Sequence, residues 1–352
     1  MKRSYTICFK TSGRELEPWI YEKPKGGDNY CAGNYFINDI SNYLKNRGYE
    51  IFQKEMSEFK LENIDHHSKN TIFQNDDTKQ FFIIDTWDEA DYLEESIVSH
   101  PLCVGVLKCQ YRKGSYGDYE EKISPFTYGV KRKKPYLTAI TTMNGISQCV
   151  SQMYFKGREW EKRGSIIKNL VDFGIVNKNF ISESEDHKVH SGLPYMEYLE
   201  EMKKRKIALS LPGCGNFCHR ELEAFGIGTP VLMPVLANQY YNNLIPNKHY
   251  ISVEAGLFRE YNNFRHLTES EVKELSVMIR DRYEEVINDD EFLEYIAKNA
   301  LKWFKDNVEY PSNMILMEKI LLDKVDYKLC DRSLTLNQKI KLAKRSSRNK
   351  TI

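Results

Sequence analysis

The sequence predicts an α/β protein built from two doubly wound units that face each other across a cleft. Three observations carry this expectation. Short apolar runs of strand length alternate with segments of helical periodicity, in one block up to residue 148 and a second from residue 149. Residues 81–84, Phe-Phe-Ile-Ile, are wholly apolar, as a strand covered on both faces must be. Residues 207–225 read as strand, glycine-bearing loop and helix, the unit from which parallel sheets are wound. A chain of 352 residues has room for two domains at roughly 150 residues each. The expected division is 1–148 for a first α/β domain, 149–325 for a second α/β domain, and 326–352 for a basic tail.

Each element follows in order. Residues 5–9 form a first strand. Phe36, Ile37, Ile40 and Leu44 recur at helical spacing, and Arg47-Gly48 stops that helix. Residues 49–52 make a second strand, and residues 54–79 are too polar to assign. After the apolar strand at 81–84 come strand candidates at 104–107 and 137–140. In the second block, residues 150–155 form a strand and Phe155-Lys-Gly-Arg158 turns the chain. Ile166, Ile167, Leu170 and Val171 mark a helix; Tyr195, Met196, Leu199 and Met202 mark another. Residues 207–211 and 230–235 are strands around a helix at 217–225. Thr268-x-x-Glu271 is a capping box. Phe292, Ile296, Ala300 and Trp303 form the stripe of a following helix, and residues 314–322 begin the last.

Composition excludes several classes. Apolar residues are 41% and charged residues 29%, with 19 Gly and 11 Pro, which is globular rather than disordered or collagenous. The net charge of +1 gives no general attraction to nucleic acid. No run approaches the 18 apolar residues of a membrane span, and residues 1–10 lack a signal-peptide core. The 8 cysteines lie mostly inside apolar runs, as reduced thiols of a cytoplasmic protein would. Cys214-x3-Cys218-His219 lacks the second ligand pair of a zinc site. After Asp331 the tail carries Arg332, Lys339, Lys341, Lys344, Arg345, Arg348 and Lys350 with no acid. Such a run either holds a protein at an anionic membrane face or simply keeps it soluble.

The most informative segment is 207–234. A strand feeds a loop with Gly213 and Gly215, then a helix expected to be capped by Asn216. Glycines allow positive φ and close backbone approach to a ligand. The amides of a helix start attract an anion. His219 and Arg220 fall in the first turn, where cations oppose the dipole unless an anion is nearby. Glu223 lies one turn further along the same face as His219 and suits a ribose diol. The plain alternative is a simple chain turn with Arg220 paired to Glu221 or Glu223.

The stretch Arg220-Glu-Leu-Glu-Ala-Phe-Gly-Ile-Gly-Thr-Pro-Val-Leu232 resembles the donor-domain signature of GT-B-fold glycosyltransferases. Phe155-Lys-Gly-Arg158 with Arg163 is similar to the start of the donor half in exostosin-like and protein O-glucosyltransferase-like members. The resemblance spans residues 150–255. It implies two Rossmann-like domains in GT-B architecture. It also implies that Gly213, Gly215, Asn216, His219, Arg220 and Glu223 line a nucleotide-diphosphate sugar, with Arg158 or Arg163 near the phosphates. Many retaining members carry two glutamates eight positions apart across this loop. Here the position eight before Glu223 is Gly215, which favours inversion.

The expected activity is therefore transfer of a sugar from a nucleotide-diphosphate sugar to a hydroxyl of a glycan or lipid-linked saccharide. No cofactor is expected: the chain has no Asp-x-Asp motif, and arginines would carry the leaving-group charge. An inverting enzyme needs a general base. Asp85 follows a buried strand at its carboxyl end, with Asp88 close behind; an N-cap role for Asp85 is the alternative. Gly27 and Asp28, beside Gly26, are the acceptor-binding candidates. Two further readings stay open: a nucleotide-sugar epimerase on the same fold, and a non-catalytic sugar-nucleotide-binding scaffold.

Overall fold

The computed structural model describes residues 4–9, 34–55, 71–86, 90–127, 145–155, 157–158, 162–177, 181–182, 195–213, 215–253, 264 and 266–324. Gly27, Asp28, Asp88, Cys214, the strand candidate at 137–140 and the tail at 326–352 lie outside the described residues. The structure is α/β, with helices packed on two main sheets.

The first sheet has six strands: β1 (Ser4–Phe9), β2 (Glu50–Glu55), β3 (Thr71–Asn75), β4 (Phe81–Asp85), β5 (Cys103–Lys108) and β6 (Ile123–Pro125). Their order is β2-β1-β3-β4-β5-β6. The helix α1 (Asn34–Asn46) joins β1 to β2, which pair in parallel. Gly48, at φ +86, lets the chain leave that helix toward β2. The short α2 (Glu95–Val98) precedes β5. Every residue of β4 is buried, as the apolar run requires.

The unassigned polar stretch contains β3, which runs antiparallel to both β1 and β4. This sheet is mixed where a mostly parallel one was expected. The reason is chain length. Five residues separate β3 from β4, too few for a crossover, so the pair closes as a hairpin. Asn75 shapes the turn by accepting from the amides of Asp77 and Thr78, both at 3.0 Å.

The second sheet is parallel. The chain at 150–158 pairs on one side with 176–182, through Met153 with Val176 and through β7 (Gly157–Arg158) with β8 (Ile181–Ser182). On its other side Val150 pairs with Arg205, and Tyr154 with Ala208 in β9 (Ala208–Leu209). Next come β10 (Val231–Pro234) and β11 (Ile251–Val253). In chain order the strands stand second, first, third, fourth, fifth. The reversal falls between 150–158 and β9. Gly157 and Arg158, read from the sequence as part of a turn, lie in β7. The helices α3 (Lys162–Asp172), α4 (Tyr195–Lys203) and α5 (His219–Ile227) connect these strands. Gly228, at φ +73, ends α5 in the left-handed conformation that a side chain would resist.

Three longer helices follow: α6 (Glu269–Val286), α7 (Asp290–Asn307) and α8 (Ser312–Lys324). Thr268 and Glu271 form the expected capping box on α6, and Asp289 caps α7 through the Phe292 amide at 2.9 Å. The helix α8 returns to the first sheet, where Glu318 accepts from Arg47 at 2.6 Å. One apolar core, from Tyr5, Phe73 and Leu107 to Phe217, Trp303 and Met314, joins both sheets. A second fills the space between the parallel sheet, α3 and α6. Among the described residues no helix is long and apolar enough to cross a membrane.

Candidate functional site

In an open parallel sheet, neighbouring strands whose connections run to opposite faces leave a crevice beyond their carboxyl ends. Here that point lies between 150–158 and β9. The chain leaving the first carries Arg163 into the first turn of α3; the chain leaving the second is the 210–218 loop. These segments touch. A Cβ built on Gly213 would lie 3.1 Å from Arg163 Nη1 and 3.7 Å from Cys218 Sγ. Arg163 itself is buried. Gly213 has no positive φ, so what it contributes is room for the guanidinium, not an unusual backbone angle.

Arg220, in the first turn of α5, stacks its guanidinium over Phe155 at 4.6 Å from the ring centre. Phe155 ends the described part of the neighbouring strand, so this contact also spans the reversal. Arg163 and Arg220 thus reach one crevice from its two sides. Glu223, one turn on, accepts from Tyr198 of α4 at 3.0 Å. The Tyr198 hydroxyl is held well above its ordinary pKa by burial and by the adjacent Glu223 charge, so it remains a donor. His219 is half-buried beside them.

Several loop groups are committed inside the protein. The Gly213 amide donates to the Gly215 carbonyl at 3.1 Å. The Phe217 amide donates to Gln110 Oε1 at 3.3 Å, and the Cys218 amide to Glu221 Oε2 at 3.0 Å. These three amides are not offered to a ligand, so the ligand-facing chemistry shifts from backbone to side chains. Cys218, not Asn216, is the N-cap of α5. Asn216 is buried and faces elsewhere: its Oδ1 accepts from the amides of Ala237 at 3.0 Å and Asn238 at 3.4 Å. That ties the loop to the segment after β10. Glu221 is buried and accepts from Ser210 at 2.5 Å. Burial raises its carboxyl above the usual range, although Ser210 and Arg220 oppose the shift. Enclosure likewise lifts the Cys218 thiol to about 12, with Glu221 adding to the effect. It is a neutral thiol at pH 7, neither nucleophile nor thiolate ligand. Among the described residues no group of three His, Cys, Asp or Glu side chains could hold a metal.

The remaining sequence candidates fall apart from this crevice or outside it. Arg158 is placed by its backbone alone, paired with Ser182 in β8. Asp85 ends β4, is 1% exposed, and bonds to the equally buried Lys108 at 2.9 Å. A carboxylate in that position balances an ammonium; it is poorly placed to take a proton from an incoming hydroxyl. Sequence reading missed three side chains that shape the site. Phe155 carries no ligand role in the sequence pattern, and nothing local singles out Tyr198. Gln110, just after β5, bonds both backbone groups of Phe217, donating to its carbonyl at 2.5 Å. It lies 107 residues from that partner, and no local pattern marks it.

No family model and no curated relative matches the chain. Solved structures do match. The crystal structure of HepE from Anabaena in complex with UDP and glucose is 12% identical, covering 67% of this chain and 70% of that chain at a TM-score of 0.40. An alpha-glucosyltransferase in complex with UDP-glucose and DNA containing an abasic site is 10% identical, covering 83% of this chain and 96% of that chain at 0.42. Likeness of this depth leaves the chemistry to be read from this chain's own side chains.

Proposed function

We propose that the chain is a glycosyltransferase that moves a sugar from a nucleoside-diphosphate sugar to a hydroxyl of a glycan or lipid-linked saccharide. The observation that carries this reading is that Arg163 and Arg220 come from the two sides of the strand-order reversal of a parallel sheet, each packed against the segment across it. Two guanidiniums fit the two phosphates of a diphosphate, and they are always charged. Glu223, held by Tyr198 one turn deeper, is an acceptor of the right kind for a ribose diol. His219 adds a donor at the start of α5.

Transfer passes through an oxocarbenium-like state as negative charge grows on the departing diphosphate. Fixed guanidiniums stabilise that charge best because they need not reorient as it develops. Arg163 is fixed by burial against Gly213, and Arg220 by stacking on Phe155. On this reading the reaction needs no metal, and Gly215 in place of a second acid favours inversion. The base would come from the first domain; Asp88, outside the described residues, is the remaining sequence candidate. The test is incubation of the full chain with UDP-, GDP- and ADP-sugars, following nucleoside diphosphate release. Release stimulated by added saccharide supports transfer. Epimer formation, or binding without turnover, would replace this reading.

A further inference from the structure

Beside the arginine crevice, the segment after β5 and the loop after β10 enclose a cleft of about 470 Å³ that the reading above does not use. Its volume lies within the ~300–1,000 Å³ range of small-molecule sites. Arg112 and Lys113 come to it from the first sheet; Asn238, Leu244 and Tyr250 line it from the second. Neither cation has a carboxylate in ion-pair contact among the described residues.

Asn238 supplies the polar group, and its orientation is determined. Gln110 donates through Nε2 to the Phe217 carbonyl and accepts through Oε1 from the Phe217 amide. The backbone therefore fixes which end of Gln110 is which. Asn238 Nδ2 donates to that same Oε1. Asn238 must then present its Oδ1 as an acceptor. This atom is buried and has no hydrogen-bond partner among the described residues, in a residue only 6% exposed. Buried acceptors in native proteins are nearly always satisfied. Asn238 thus lines the cleft with an acceptor that no described residue satisfies, and Arg112 and Lys113 line it with positive charge; together they fit a ligand that is both hydroxylated and anionic.

We propose that this cleft binds an acidic saccharide, a sugar carrying a phosphate or a carboxylate. The anion sits on Arg112 and Lys113, and a sugar hydroxyl donates to Asn238 Oδ1. Its role as acceptor subsite rests on the transfer reading; the binding does not. Asn216, bonded to the amides of Ala237 and Asn238, joins this wall to the loop at the arginine crevice.

The test is calorimetric titration of the full chain with glucose 6-phosphate and with glucuronate, against glucose and inorganic phosphate. At least one acidic sugar should bind ten times more tightly than either glucose or phosphate. Arg112→Gln/Lys113→Gln should weaken that binding at least tenfold, whereas Arg220→Ala should leave it unchanged. No saturable binding of either acidic sugar, phosphate binding as tightly as the sugars, or an unaffected double variant would each overturn the assignment. So would loss of binding in Arg220→Ala, which would move the ligand to the arginine crevice. A chain that binds these sugars yet releases no nucleoside diphosphate would sink the transfer reading alone.

Discussion

The guanidinium of Arg163 lies against the bare α-carbon of Gly213, 3.1 Å from where a Cβ would stand. Placing a methyl there obliges the guanidinium to shift by a few tenths of an ångström. Arg163 is the far end of a flexible chain, so the strain has a cheap exit. Gly213→Ala should therefore cost stability only near the low end of the ~1–3 kcal/mol of overpacking. Nucleoside diphosphate affinity should fall about tenfold, roughly 1.4 kcal/mol. Chemical denaturation beside a binding titration separates the two. A loss of stability with full affinity would mean that Arg163 holds the loop rather than the ligand.

Arg220 and Glu223 differ in what else holds them. Arg220→Ala forfeits the stack on Phe155, worth roughly 0.5–1 kcal/mol, and the charge placed on the phosphates. Binding should drop tenfold or more, since hydrogen bonds to charged groups contribute about 1.5–3 kcal/mol. Glu223→Gln keeps an acceptor for Tyr198 and for a ribose, and should lose less than Glu223→Ala. Nucleotides with and without the 2′-hydroxyl distinguish the roles: only Glu223 variants should bind both equally.

Asp85 and Lys108 make a buried ion pair. Asp85→Asn leaves an ammonium in the core with a neutral partner. Breaking such a pair from one side costs about 3–5 kcal/mol. The expected phenotype is loss of fold stability, with activity lost in proportion. Asp85→Leu/Lys108→Met should recover most of the stability by removing both charges. A stable, well-folded Asp85→Asn protein with no turnover would instead return Asp85 to the catalytic role read from the sequence.

How far the sequence could be read depended on the range of each signal. Local periodicity placed α1, β4, α6 and α7, because burial on one face repeats within each helix and across every residue of β4. The capping box at Thr268 was equally local. It missed β3, because a five-residue strand in a polar stretch earns its place through its neighbours β1 and β4. At the site, the glycine loop and Arg220 announced themselves. The committed amides did not, because Gln110 reaches Phe217 across 107 residues and Asn216 bends toward Ala237. Asn216 looked like a cap because it precedes the helix; the cap is Cys218, two residues later.

His249 sets a pH dependence. It is buried, and its Nδ1 accepts from the Ile245 amide at 2.9 Å. Burial, helped by the neighbouring Lys248 charge, lowers its pKa to about 4 from 6.5. The folded state therefore binds fewer protons than the unfolded state between those values. Stability should be full above pH 6.5 and fall as pH drops toward 4, by up to about 3 kcal/mol. His249→Asn keeps an acceptor and cannot charge, so its thermal midpoint should lose less between pH 7 and pH 4.5. Equal losses in the two proteins would assign the acid sensitivity elsewhere.

Gln110 is where the two sheets are bonded to one another around the candidate sites. It carries both backbone groups of Phe217 and the Asn238 amide. Gln110→Leu fills the volume and satisfies none of them. Each buried group left unpaired costs about 1–3 kcal/mol, so urea denaturation should show a loss of several kcal/mol. Because Asn238 depends on the same side chain, Gln110→Leu and Asn238→Leu should not add. The double variant should cost less than the sum of the singles by at least 0.5 kcal/mol, a coupling typical of direct contact. Additive losses would show that the two amides act independently. The orientation deduced for Asn238, and with it the open acceptor in the cleft, would then lose its basis.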